Sequence, residues 1–157
     1  MFNLWNWLVD FLFKYGLYQK SGKLLFLGLD DSGKTTLLYL LKTGKIIQPE
    51  PSMHATKEEM TLGKICFTTY DLGGHKQVRR VWKEYLPIVD GIVFLIDVQK
   101  RERFSECKAE LDALLDDEQT QHCPILVLGN KIDKLNAAGE REIIDYFNLY
   151  HLLTGKV

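Results

Sequence analysis

Gly28 to Thr35 reads Gly-Leu-Asp-Asp-Ser-Gly-Lys-Thr, and no other stretch restricts the fold of this chain as tightly. An apolar run, Leu24 to Leu27, precedes it and predicts a buried strand. Thr36 to Leu41 follows and predicts the start of a helix. A glycine-rich turn between strand and helix lets backbone N–H groups converge on oxyanions. The helix N-terminus adds positive potential there. In such a loop Lys34 reaches the outer phosphates of a nucleotide, and the Thr35 hydroxyl holds a magnesium ion. The competing reading is a tight turn with an exposed lysine, and the matching flanks disfavour it.

The rest of the chain extends the pattern. Thr43 to Thr56 is polar, holds Pro49 and Pro51, and predicts a loop. Glu59 to Leu62 and Ile65 to Leu72 flank Gly63-Lys64 and predict a hairpin. Arg79 to Leu86 reads as helical and closed by Pro87. Gly91 to Asp97 and Pro124 to Gly129 are apolar runs typical of strands buried on both faces. Phe104, Leu111, Leu114 and Leu115 lie at helical spacing between Arg101 and about Asp117, and Glu140 to Phe147 is a short helix. Strands alternating with helices imply an α/β fold: a mostly parallel sheet with helices on both faces, plus one antiparallel strand from the hairpin. Ligands in such sheets sit at the carboxyl ends of the strands, where all the motifs fall.

Three of these motifs carry chemistry. Asp71-Leu72-Gly73-Gly74-His75 closes a strand. Asp71 can hold magnesium, mostly through water, because this ion dehydrates reluctantly. Gly74 lets backbone approach the last phosphate and offer an N–H. His75 is the candidate for orienting the attacking water. Asn130-Lys131-Ile132-Asp133 closes another strand. The Asp133 carboxylate can accept two hydrogen bonds from guanine, a donor pair that adenine lacks, so the motif selects GTP over ATP. The Lys131 stem can cover the base plane, and Asn130 can tie back to the phosphate loop. Thr56, in the loop before the hairpin, could bind magnesium only when a third phosphate is present. An ATP-using kinase with the same loop would lack the guanine motif.

The chain has 157 residues, so one domain is the default, and 46% apolar content supplies an ordinary core. A formal charge of −1 argues against broad nucleic-acid binding. Cys66, Cys107 and Cys123 form no Cys-x-x-Cys pair, so neither a zinc ribbon nor a redox motif is suggested. Cys66 and Cys123 adjoin apolar runs and read as reduced core or near-core residues.

Residues 1–20 read as an amphipathic segment separate from the domain at 21–157 and as a candidate for membrane association. Asn3, Asn6, Asp10 and Lys14 fall on one narrow helical stripe. Phe2, Trp5, Trp7, Phe11 and Phe13 cover the remainder. The stretch is too short to span a bilayer, and Phe2 excludes N-myristoylation. It either docks into a groove on its own domain or lies in a membrane interface, and alternation between the two would make a switch.

These motifs together resemble a small Ras-like GTPase. The Asp71–His75 run, with histidine where most relatives have glutamine, is similar to the Sar family of COPII coat GTPases. So are the aromatic N-terminal helix, Gly16 to Lys23, and Arg79 to Pro87. The resemblance implies a switch at endoplasmic reticulum exit sites, cytosolic when GDP-bound, in which GTP displaces the N-terminal helix into the membrane. It implies recruitment of the COPII inner coat, whose GTPase-activating subunit supplies an arginine, and a membrane-bound exchange factor that loads GTP. It assigns nucleotide contacts to Asp31, Ser32, Gly33, Lys34, Thr35, Thr36, Asn130, Lys131 and Asp133, and places Asp30 and Asp71 near the magnesium. The family continues beyond Val157 with a sixth strand, a final helix and a loop whose backbone touches the guanine. The expectation is therefore exposed apolar surface, weaker guanine binding and lower stability. A non-hydrolysing membrane- or coat-binding module is the alternative. Ser52 and Ala55 also depart from the family's first switch, whereas Thr56 is retained.

Overall fold

The computed structural model describes residues 22–45, 56–62, 65–71 and 79–152, together with Asp10, Lys14 and His54. Five strands build one sheet: β1 (Gly22–Gly28), β2 (Thr56–Leu62), β3 (Ile65–Asp71), β4 (Gly91–Asp97) and β5 (Ile125–Asn130), in the order β2-β3-β1-β4-β5. Among the described residues, the α-helices with defined bounds are α1 (Lys34–Thr43), the single turn α2 (Trp82–Tyr85), α3 (Phe104–Leu115) and α4 (Glu140–Phe147).

β1 is central because nearly every residue in it can be buried. Leu25 and Leu27 join a core with Ile92, Phe94, Phe104, Leu111, Ile143 and Phe147. Leu24 and Phe26 alternate with them along the strand, so they face the other side of the sheet, and they are buried as fully. β4 has the same two-faced burial. Both strands pair in parallel with their neighbours, as doubly covered strands do. β2 and β3 are antiparallel, with Leu62 opposite Ile65 across a two-residue connection.

Three elements depart from the sequence reading. Thr56 is not in the loop but opens β2, paired with Asp71 at the end of β3, because strand pairing runs further than the apolar pattern of the hairpin. Pro87 does not close the helix begun near Arg79; it sits inside a 3₁₀ turn, Leu86–Ile88, whose first positions need no proline N–H. β5 is not buried on both faces: among its residues only Leu126 is buried, and Ile125, Val127 and Leu128 are half-buried, since β5 is the edge strand of the described sheet. α4 follows its predicted bounds. Glu140 and Glu142 in its first turn complement the helix dipole, and Asn148 ends it in the left-handed conformation.

The N-terminal segment apart from Asp10 and Lys14, Gly63-Lys64, the Gly74 and His75 positions, Ser52 and Ala55 lie outside the described residues. Asp10 and Lys14 are helical and exposed. Among the described residues no helix is long and apolar enough to cross a membrane.

The topology fixes where a ligand would sit. From β3 the chain crosses over to β4 on the opposite side of β1, so the strand order reverses at β1. The crevice beyond the carboxyl end of β1 is the usual ligand position in such sheets. Gly28, Asp71, Asp97 and Asn130 all end strands at that edge.

Candidate nucleotide site

The loop after β1 turns sharply at both of its glycines. Gly28 has φ +142, and a Cβ there would run into the Leu95 carbonyl of β4. Gly33 has φ +93 and occupies the N-cap of α1; a Cβ there would run into the Asn130 amide. These are backbone requirements that glycine meets without a steric penalty. Between them Asp31 takes a left-handed φ of 61, and Ser32 is buried.

Lys34 is buried at the first position of α1. Its Nζ donates to Gly28 O at 3.0 Å and Leu29 O at 2.8 Å, and lies 3.5 Å from Ser32 Oγ. The ammonium is thus held inside the curl of the loop. These three oxygens are neutral, and an anionic phosphate oxygen makes a stronger, charge-assisted partner. Thr35 and Thr36 are half-buried in the same first turn.

The second half of the site comes from the end of β5, roughly a hundred residues later. Asn130 Nδ2 donates to Ser32 O at 2.9 Å. Lys131, itself in the left-handed region, donates through Nζ to Asp31 O at 2.5 Å and to Asp97 Oδ2 at 2.8 Å. The tie from Asn130 to the phosphate loop is therefore present as the sequence suggests. Asp133 lies beyond, with its side chain 74% exposed and Lys134 Nζ 3.8 Å away. Its exposure leaves the carboxylate accessible to a ligand edge.

Asp30, also a metal candidate, has arginine neighbours. Its Oδ1 accepts from Arg103 Nη2 at 2.9 Å and lies 3.8 Å from Arg79 Nη2. Arg79 also donates to Glu106 at 2.7 Å and Glu110 at 2.8 Å. The Asp30 hydrogen bond, with Glu106 beside it, raises the Arg103 guanidinium. Burial opposes the Arg79 charge, but its bonds to Glu106 and Glu110 prevail and raise it. Asp30 thus ties the loop to the residue that precedes α3.

The remaining metal candidates are Thr35, Thr56 and Asp71. Thr56 of β2 is in backbone register with Asp71 of β3, and Asp71 is in register with Phe26 of β1, two residues before Gly28. Two hydroxyls and one carboxylate are hard oxygen donors too few for a protein-only cage. They fit magnesium, which keeps several waters and takes phosphate oxygens.

Several participants carried no motif signal. Asp97 ends the apolar run of β4 and receives Lys131; an acid closing a buried strand was the available clue. Lys100, Arg79 and Arg103 meet the loop through contacts that span long stretches of sequence. Of the two cysteines whose side chains are described, Cys107 is buried; burial pushes its thiol up to about 12, which makes it an inert core residue. Cys123 is half-buried, and the Cys66 side chain lies outside the described residues.

The chain is similar to known proteins in sequence and in fold. The ADP-ribosylation factor family matches residues 8–157. A "Small COPII coat GTPase SAR1" from Nicotiana tabacum is 47% identical over 131 residues, covering 83% of this chain and 66% of that protein. Its counterpart from Giardia intestinalis is 40% identical over 151 residues, covering 96% and 79%. A SAR1B from Dictyostelium discoideum is 34% identical, covering 92% and 75%. The chain thus spans about two thirds of the tobacco relative and somewhat more of the other two. Among solved structures, the Arl6 BBS3 small GTPase from Trypanosoma brucei, with bound nucleotide analogue GppNp, superposes with a TM-score of 0.79 at 27% identity. The match covers 87% of this chain and 82% of that one.

Proposed function

The chain belongs to the ADP-ribosylation factor family of small GTPases, and on that premise we propose that it is a GTP-binding, GTP-hydrolysing switch of the Sar type. The observation that carries this reading is the 2.9 Å bond from Asn130 to Ser32 O, beside Lys131 on Asp31 O. It welds the guanine motif to the phosphate loop, so one ligand can satisfy both.

The chemistry would be in-line attack of water on the outer phosphoryl group. Thr35 and Thr56, with Asp71 through water, would hold a magnesium ion, which when bound neutralises charge on the outer phosphates. Lys34 and the loop N–H groups, including that of Gly74, stabilise the charge that spreads over the transferring oxygens. His75 orients the water. Asp133 accepts from the guanine edge. Intrinsic hydrolysis would be slow, because Arg79 and Arg103, beside the loop, are already bound to carboxylates. An arginine from an activating subunit of the COPII inner coat would complete the site.

The aromatic N-terminal segment, residues 1–20, would enter the cytoplasmic face of the endoplasmic reticulum membrane in the GTP state. A membrane-bound exchange factor would load the nucleotide, and the coat would assemble for transport toward the Golgi. The names of the tobacco and Giardia relatives support this reading, as does the polar stripe that includes Asp10 and Lys14.

Flotation with anionic liposomes tests it. The chain loaded with a non-hydrolysable GTP analogue should float, and the GDP-loaded chain should stay in the soluble fraction. Equal flotation in both states would defeat the switch, and tight binding of ATP in place of GTP would defeat the nucleotide assignment.

A further inference from the structure

Asp31 places a carboxylate in a loop whose task is to attract phosphates. It sits between Gly28 and Gly33, and its side chain is 64% exposed. Left alone, that charge would repel a nucleotide. It is not alone: Lys100 Nζ lies 2.5 Å from Asp31 Oδ2, and Lys131 Nζ lies 3.4 Å from Oδ1. Lys131 is shared, since it also holds Asp97 Oδ2 at 2.8 Å. Asp97 cannot be released cheaply: its side chain is 9% exposed, and its Oδ1 caps the turn by accepting from Gln99 N at 3.0 Å.

The charges balance only with Lys100 included. Asp31 and Asp97 supply two negative charges, and Lys100 and Lys131 supply two positive ones. Without Lys100, one lysine would serve two carboxylates, and the surplus negative charge would fall on the phosphate loop. Lys100 follows β4 and is 69 residues from Asp31, so the pair also staples the loop to the neighbouring strand end.

We propose that Lys100 is a positioning residue for nucleotide retention, which neutralises Asp31 and holds the phosphate loop against the end of β4. It rests on the nucleotide reading above. Lys100 touches the loop and acts through Asp31 on the bound polyphosphate. The ligand class is a nucleoside di- or triphosphate, and the effect should grow with the number of phosphates.

Dissociation of a fluorescent GDP or GTP analogue from the full chain tests the assignment. Lys100→Ala should release nucleotide about fivefold faster at low salt, the size of effect one nearby charge exerts in a solvated site. Added salt should shrink the difference, and Lys100→Arg should restore slow release. The decisive arm is Asp31→Asn: in that background Lys100→Ala should change the rate little. Lys108→Ala, which removes a lysine paired within α3 to Asp112, controls for bulk charge. The pair is solvent-exposed, and such pairs add little to folding, so Lys100→Ala should melt close to the wild type. An unchanged release rate in Lys100→Ala, or an effect that persists in the Asp31→Asn background, would overturn the role of Lys100 alone. A wild-type chain that retains no guanine nucleotide would overturn the nucleotide reading with it.

Discussion

At the scale of single residues, the site depends on where a Cβ is forbidden. Gly33 combines a left-handed φ with a close approach to the Asn130 amide. Gly33→Ala should therefore act twice. Backbone strain should lower stability by about 1–3 kcal/mol. Displacement of the Asn130 amide should break its bond to Ser32 O and separate the guanine motif from the phosphate loop. Urea unfolding would read the first effect. Loss of nucleotide affinity well beyond tenfold, by fluorescence titration, would read the second; near-normal affinity would mean the two motifs work independently. The loop and the Asn130–Asp133 motif were legible because their chemistry needs particular residues at fixed local spacing. Asp30 was only half legible. Its place in the loop followed from sequence, but its capture by Arg103 did not, because the partner lies 73 residues away with no spacing to announce it.

At the scale of elements, the link between α3 and the phosphate loop is ionic. Arg79 binds Glu106 and Glu110, Arg103 binds Glu106 and Asp30, and the group lies over the end of β1. Arg103, and then Arg79, hold the Glu106 carboxyl below its usual range. A carboxylate depressed in the folded state lends stability above its unfolded pKa. That contribution is lost as pH falls through the lower folded value. Stability should accordingly decline below about pH 4.5. Glu106→Gln should cost stability at neutral pH, and that cost should shrink in acid as the wild type loses the same charge. Chemical denaturation at neutral pH and near pH 4 would show this; a cost independent of pH would mean Glu106 acts by packing alone. Elements whose burial follows from their own residues, β1, β4, α3 and α4, were legible in sequence. β5 was not, because an apolar run reads the same at the centre and the edge of a sheet. Thr56 was not, because pairing across the hairpin, and no property of threonine, extends β2.

At the scale of the whole molecule, the nucleotide site joins the two ends of the described fold. The phosphate loop follows the first strand, and Asn130 to Asp133 follow the last. A ligand that touches both should therefore stabilise the entire sheet and not one loop. Binding to the folded state alone adds about 4 kcal/mol when the free ligand exceeds its dissociation constant a thousandfold. For a domain of this length that is a rise in melting temperature of about 10 °C. GDP with magnesium should produce such a rise, and ADP at the same concentration should produce far less. Asp133→Asn should remove most of that contrast, because the guanine donors lose a charged acceptor while the phosphate contacts persist. The half-exposed face of β5 makes this a demanding test. Its partly covered Ile125, Val127 and Leu128 contribute less burial than an inner strand would, so the end of the fold carrying Asn130 should gain most from ligand. Amide hydrogen exchange locates the gain: added GDP should slow exchange in β5 and β1 together. Protection confined to the phosphate loop would mean that the base motif is not engaged.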